Sequence, residues 1–331
     1  MKRFVNDPNN FVNEILEGMI LANANKLKWI PERNTVYRAD MPRDDKVSII
    51  QGCGAGHDPT PIMCVGRGML DAACCGGVFA SPPIKYCYEL FKLMKSKEGV
   101  LFPVVNYQGD IMNWSMANEL AQADGIKTAM VKVSDDVAVP DSTYSVGRRG
   151  VAGNFFVIKT CGAAAEKGAS LDELVALGKK VNSVVRTYGV ALTSCTPPAK
   201  GQPIFNIADD EIEMGIGIHG EPGRYRTKLK AADEIVDEML ETVTNDLPFK
   251  RGDQVALMVN GMGGTPINEL YLLYRRAALN CHDRGLKIVR NYIGNYCTSL
   301  DMAGCSVTLI RLDEEIERLL AAPAEIPIRV F

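Results

Sequence analysis

A chain of 331 residues with a formal charge of -3, 47% hydrophobic and 23% charged side chains has the make-up of a globular protein of about two domains. Its basic residues are scattered, the longest cluster being a pair such as Arg148-Arg149, and with the net charge of -3 this gives no reason to expect a nucleic-acid or anionic-membrane surface. No run approaches the roughly 20 apolar residues of a membrane span, and no apolar leader follows Lys2 and Arg3, so a cytoplasmic protein is expected.

Residues 9–24 set Phe11, Val12, Ile15, Leu16 and Met19 on one face of an amphipathic helix. Lys46–Ile50 reads as a buried strand running into the turn Gly52-Cys-Gly-Ala-Gly-His57-Asp-Pro59. A glycine-rich turn at the carboxyl end of a strand is where α/β sheets present ligands. This one lacks the Gly-Lys-Ser/Thr ending of a nucleotide loop. Leu101–Val105 is a second strand; it leads into Asn106-Tyr-Gln-Gly-Asp110, with Asp110 as a helix N-cap and Gly125 as the stop. Thr128–Val133 is the next strand, followed by Asp135-Asp136-Val-Ala-Val139 and Gly147-Arg-Arg-Gly150.

Ser170-Leu-Asp-Glu173 is a capping box. It opens a helix with Leu171, Leu174, Val175, Val181, Val184 and Val185 on its apolar side, ended by Gly189. Strand signals follow near 190–194, 204–207, 255–260, 287–290 and 305–311, and helix signals near 230–245 and 266–281. Thr265-Pro266 starts the last helix, with proline at its first position. The alternation predicts two α/β domains, 1–187 and 188–331, each with a mostly parallel or mixed sheet flanked by helices.

His219 is one of three histidines and stands in Met214-Gly-Ile-Gly-Ile-His-Gly-Glu-Pro-Gly223. Glycines on both sides leave its imidazole approachable, and Pro222 stiffens the loop. Alone it is as readily an ordinary loop residue, and Asp110 alone is more readily a cap. Together His57, Asp110 and His219, each beside a strand-like run, form a candidate polar pocket. His282, late in a helix beside Cys281 and Asp283, reads as a surface residue. The ten cysteines include no CxxC pair and no zinc spacing; they read as buried reduced thiols, and no metal site is expected.

These runs resemble the dihydroxyacetone-binding subunit of dihydroxyacetone kinase. Gly52–Pro59 is similar to its Gly-Gly-Gly-Ser-Gly-His-Glu-Pro turn, 106–110 to Asn-Tyr-Thr-Gly-Asp, and 214–223 to Gly-x-Gly-Ile-His-Gly-Glu-Pro-Gly. Asp135–Val139, Gly147–Ala152 and Tyr296-Cys-Thr-Ser-Leu-Asp-Met302 match further segments in the same order. The resemblance implies that His219 adds to the ketone carbon of a short ketose as a covalent hemiaminal. It implies that His57 and Asp110 bind the sugar and help to deprotonate the phosphorylated hydroxyl, and that the backbone of Gly54, Ala55 and Gly56 lines it. An ordinary imidazole, with a pKa of about 6.5, is mostly neutral at pH 7, as the addition requires.

The chain itself is expected to bind no cofactor; Mg-ATP or Mg-ADP belongs on a separate nucleotide-binding kinase subunit. A homodimer of two-domain subunits is also implied. The sequence departs from the family at Val105, where lysine is common, and at Ala55 and Cys53, which replace Ser and Gly. An alternative is a paralogous co-activator that captures dihydroxyacetone without phosphorylating it.

Overall fold

The computed structural model describes residues 3–140 and 147–328; the outermost residues of the two expected domains, 1–2 and 329–331, lie outside it. After helix α1 (Phe11–Ala22) the chain builds a six-stranded mixed sheet from β1 (Leu27–Ile30), β2 (Thr35–Arg38), β3 (Ser48–Ala55), β4 (Ala72–Val78), β5 (Val100–Val105) and β6 (Thr128–Val133). The order is β1-β2-β4-β3-β5-β6, with β4, β3, β5 and β6 parallel and the first two strands antiparallel. Helices α2 (Ile84–Leu93) and α3 (Gln108–Ala123) cover one face, around Phe91, Phe102 and Trp114.

The chain then forms α4 (Asn154–Ala165), α5 (Leu171–Val184) and a second mixed sheet. Its strands are β7 (Val185–Ala191), β8 (Glu211–Met214), β9 (Tyr225–Lys228), β10 (Gln254–Gly261), β11 (Lys287–Gly294) and β12 (Gly304–Arg311). They lie in the order β11-β10-β12-β7-β8-β9, and only β10 and β11 are parallel. Helices α6 (Ala232–Asp246) and α7 (Ile267–Asp283) pack on its outer face. On the inner face lie α4, α5 and α8 (Glu314–Ala321), in one apolar core with both sheets. All twelve residues of α4 are buried, and Phe155 meets both Tyr292 and Tyr296 of the second sheet's side. A helix apolar on every side requires cover on every side: α5 and α8 flank it, β3 and β5 lie against it, and Tyr292 and Tyr296 meet it from the second sheet's side.

Several boundaries differ from the sequence reading. The strand expected at 46–50 runs on through Gly52 and Gly54 to Ala55, because β4 pairs with those glycines' strand as far as Val78. Helix α3 starts at Gln108 with Tyr107 as N-cap, so Asp110 is its third residue and not the cap. Helix α5 has the expected Ser170–Glu173 capping box but ends at Val184; Gly189 lies within β7, and so does residue 187, where the sequence reading divides the chain. Residues 204–207 form no strand, and Pro266 is the N-cap of α7, one position before the first helical residue. All ten cysteines are buried and unpaired.

Candidate functional site

Strand β3 ends at Ala55, and Gly56 turns the chain with φ +97° to place His57. That turn is fixed from the other sheet. His57 Nδ1 lies 2.9 Å from the carbonyl of Thr298, and the N–H of Leu300 donates to the carbonyl of Gly56. The loop carrying Thr298 is itself held by Asn260 of β10, whose side chain accepts from Tyr296 and Cys297 N–H and donates to the Cys297 carbonyl. A carbonyl accepts only, so His57 carries its proton on Nδ1 and presents Nε2 as a lone pair. Nε2 is buried and has no partner among the described residues. Burial, with the neighbouring His219 second, pushes the His57 pKa down to about 3, so the ring is neutral at physiological pH.

His219 stands on the loop between β8 and β9. Its ring centroid is 4.5 Å from that of His57 and 4.5 Å from that of Tyr107, both edge-on. Its Nδ1 lies 2.7 Å from Glu221 Oε1, and its backbone N–H donates to Glu221 Oε2. Burial opposes charge on Glu221, but His219 and Arg149 outweigh it and hold the carboxyl at about 2. An ionised carboxylate only accepts, so it fixes the His219 proton on Nδ1 and leaves the Nε2 lone pair for chemistry.

Arg149 locks this loop. It is fully buried, pairs with Asp136 at 2.7 Å and donates to the carbonyl of Gly215 at 2.7 Å. Asp136 is pushed up to about 6 by burial, against the pull of Arg149. Across the loop, Gly220 has φ +78°, and a Cβ there would collide with Ile204.

Asp110 projects from the first turn of α3 into the same space. It is 2% exposed, and Oδ1 has no partner. Burial pushes its carboxyl up to about 7, with His219 and Ser81 pulling the other way. Asp110 and His219 line one cleft of about 630 Å³ together with Phe79, Tyr107, Lys200 and Ile204. Of nine orphaned buried side-chain polar atoms among the described residues, three are His57 Nε2, Tyr107 Oη and Asp110 Oδ1. Buried polar atoms are normally paired, so their convergence around His219 marks a place for a small polar ligand.

His57, Asp110 and His219 are thus brought together from β3, α3 and the second sheet. Gly54, Ala55 and Gly56 are not on the cleft wall. They border a small cavity against Phe11, Val12 and Ile15, while Gly54 and Gly56 pack closely on Phe79, which does line the cleft. Val105 lines a small cavity of about 10 Å³ behind both histidines, with Cys53, Ile218 and Cys297 and with no cation in that lining. His282 is exposed at the end of α7. Among the described residues no cluster of His, Cys, Asp or Glu has the arrangement to hold a metal, and no helix is long and apolar enough to cross a membrane.

The Dak1 domain pattern matches residues 17–328. The chain belongs to the Dak1 domain family. It is 44% identical over 315 residues, 95% of either chain, to the PTS-dependent dihydroxyacetone kinase 1, dihydroxyacetone-binding subunit DhaK, of Listeria innocua. Its structure is similar to that of the dihydroxyacetone kinase operon co-activator Dha-DhaQ, with TM-score 0.89 and 32% identity over 94% of this chain and 96% of that one. It is equally similar, at TM-score 0.89 and 32% identity, to the dihydroxyacetone kinase of C. freundii in complex with AMP-PNP and Mg2+; 99% of this chain is covered, but only 60% of that longer one.

Within this Dak1 domain, sequence reasoning missed Glu221, Tyr107 and Arg149. Glu221 was visible as an acid two residues after a histidine across a glycine, a spacing that lets a carboxylate fold back on the ring. Tyr107 and Arg149 gave no comparable signal: one precedes a helix, and the other belongs to an isolated basic pair.

Proposed function

We propose that the chain is the ketose-binding subunit of a dihydroxyacetone-type kinase, holding dihydroxyacetone or a related short ketose on His219 as a hemiaminal. The observation that carries this reading is the His219–Glu221 contact, which commits Nδ1 and leaves Nε2 nucleophilic beside an open cleft. The Nε2 lone pair forms the N–C bond, and the carbonyl π pair moves to oxygen. That oxygen takes the proton of neutral Asp110, while the imidazolium left behind stays paired with Glu221. Asp110, now a carboxylate, removes the proton of the hydroxyl to be phosphorylated, and neutral His57 Nε2 accepts a sugar hydroxyl. The phosphoryl group comes from Mg-ATP or Mg-ADP on a separate nucleotide-binding subunit. A cytoplasmic homodimer is part of the same proposal, as is a division into domains near residue 187.

The test is carbon NMR with dihydroxyacetone labelled at the ketone carbon. In the parent protein the resonance should leave the trigonal range for the tetrahedral one; with His219→Ala it should not, and glycerol should fail to compete. Saturated binding with a trigonal carbon would overturn the hemiaminal. A second reading, a ketose-sensing co-activator, is favoured by the likeness to Dha-DhaQ and by apolar Val105 behind the histidines. Turnover with a nucleotide-binding partner supports the kinase reading; adduct formation without turnover supports the co-activator.

A further inference from the structure

Among the described residues, three that are not glycine have positive φ: Asn34 (+44°), Phe79 (+59°) and Leu300 (+56°). Asparagine tolerates that region. A bulky side chain there is strained and persists only where its surroundings over-determine it. Phe79 and Leu300 close on one point. The Phe79 N–H donates to the Ala55 carbonyl and the Leu300 N–H to the Gly56 carbonyl, both at 2.9 Å. A Cβ on Gly56 would lie 3.0 Å from Leu300 Cδ2 and 3.1 Å from Phe79 Cε1. One strained residue follows β4 and the other precedes β12, so the turn that carries His57 is gripped from both sheets.

The Phe79 ring also touches both histidines. It stacks on His57, with centroids 5.1 Å apart and planes 20° from parallel. It meets His219 edge-on, at 5.4 Å and 88°. His57 and Tyr107 stand edge-on to His219 as well, so three rings lie perpendicular to that imidazole. Each histidine has one ring hydrogen bond, His219 to Glu221 and His57 to the Thr298 carbonyl, both through Nδ1. A single hydrogen bond leaves a ring free to twist about it, whereas packed aromatic neighbours fix its plane. Phe79 is half-buried and lines the cleft.

We propose that Phe79 is a positioning residue, held in a strained backbone so that its ring sets the planes of both His57 and His219 for attack on the ketose. The proposal rests on the proposed function only in naming the ketose. Without the ring, both imidazoles twist about their hydrogen bonds, and water reaches the unpartnered Nε2 of His57. A misplacement of about 1 Å at a reacting group costs on the order of 10²-fold.

The experiment is NMR of the full chain as parent, Phe79→Leu and Phe79→Tyr, with nitrogen-labelled histidine and then with ketone-labelled dihydroxyacetone. Only three histidines are present, and exposed His282 is the internal reference. In the ligand-free parent, His57 should remain neutral and protonated on Nδ1 between pH ~5 and ~8. The titratable groups that act on it are His219 and Glu221, which the substitution leaves in place. In Phe79→Leu, water at Nε2 favours the imidazolium, so the His57 titration should move up into that range. Adduct formation should weaken about tenfold or more. Phe79→Tyr keeps the ring and should restore most of both properties. A ring that only fills space would alter the denaturant midpoint and leave the His57 titration unmoved. Parent-like titration and adduct in Phe79→Leu, or losses that Phe79→Tyr does not restore, would overturn the proposal. Phe79→Met repeats the test if the leucine variant does not fold; failure of both to fold makes the residue structural and also overturns it. If the parent forms no adduct but the His57 titration moves in Phe79→Leu and returns in Phe79→Tyr, the positioning role stands and the ketose reading falls. If parent and Phe79→Leu form the adduct equally well, the ketose reading stands and the positioning role falls.

Discussion

Replacing Asp110 by Asn should make the protein more stable at neutral pH while removing its function. The carboxyl is 2% exposed, and its pKa is raised from 3.8 to about 7, chiefly by burial. A raised folded-state pKa means that the folded protein binds this proton more tightly than the unfolded chain. The stabilising effect is full below 3.8 and is lost as pH rises to about 7. At 1.36 kcal/mol per unit, roughly three units correspond to an upper value of about 4 kcal/mol. Asn has nearly the same shape and does not ionise. The difference in unfolding free energy, variant minus parent, should therefore be smallest near pH ~4 and grow to a plateau above pH ~7, by as much as ~4 kcal/mol. Denaturant titrations of both proteins across that range measure it, and other titrating groups cancel in the difference. The same variant, with a nucleotide-binding partner, should lose ~10²–10⁴ in turnover, the usual worth of a general base. A stability difference that stays flat with pH would refute the burial argument for Asp110. Parent-level turnover would refute its role as the base.

The opposite sign holds for His57, whose pKa is depressed from 6.5 to about 3. Its contribution to stability is present above 6.5 and is lost as pH falls toward 3, so His57→Gln should unfold at lower pH than the parent in an acid titration; an unchanged midpoint would contradict this. Glu221→Gln removes the anion that fixes the His219 tautomer and neutralises the adduct; dihydroxyacetone affinity should fall about 10–100-fold by calorimetry, and an unchanged affinity would exclude Glu221 from adduct formation. Gly220→Val places a branched side chain at φ +78° and against Ile204, and should cost roughly 1–3 kcal/mol in denaturant unfolding together with most of the adduct signal. Parent-like values for both would mean that the loop adapts freely.

The chemistry-bearing residues were legible in the chain because each stands in a run containing glycine, His57 and Asp110 directly after the apolar strands β3 and β5, and His219 in the glycine-flanked loop after β8. Local signals also carried Thr128–Val133 and the Ser170–Glu173 capping box, since both depend on neighbours in sequence. Helix α4 left no periodic trace, because it is buried on all sides, between α5, α8 and the first sheet, and so has no polar face to mark it. The extension of β3 through Gly52 and Gly54 was invisible for another reason: its ladder is supplied by β4, while glycine by itself signals a turn. Arg149 is in sequence only half of an isolated basic pair, and the fold alone buries it between Asp136 and the carbonyl of Gly215. The sequence by itself therefore determined which groups are available to react. Their pKa values, tautomers and mutual distances were decided by tertiary structure, because those depend on burial and on partners such as Thr298 and Glu221 that long-range packing or a loop's return brings into contact.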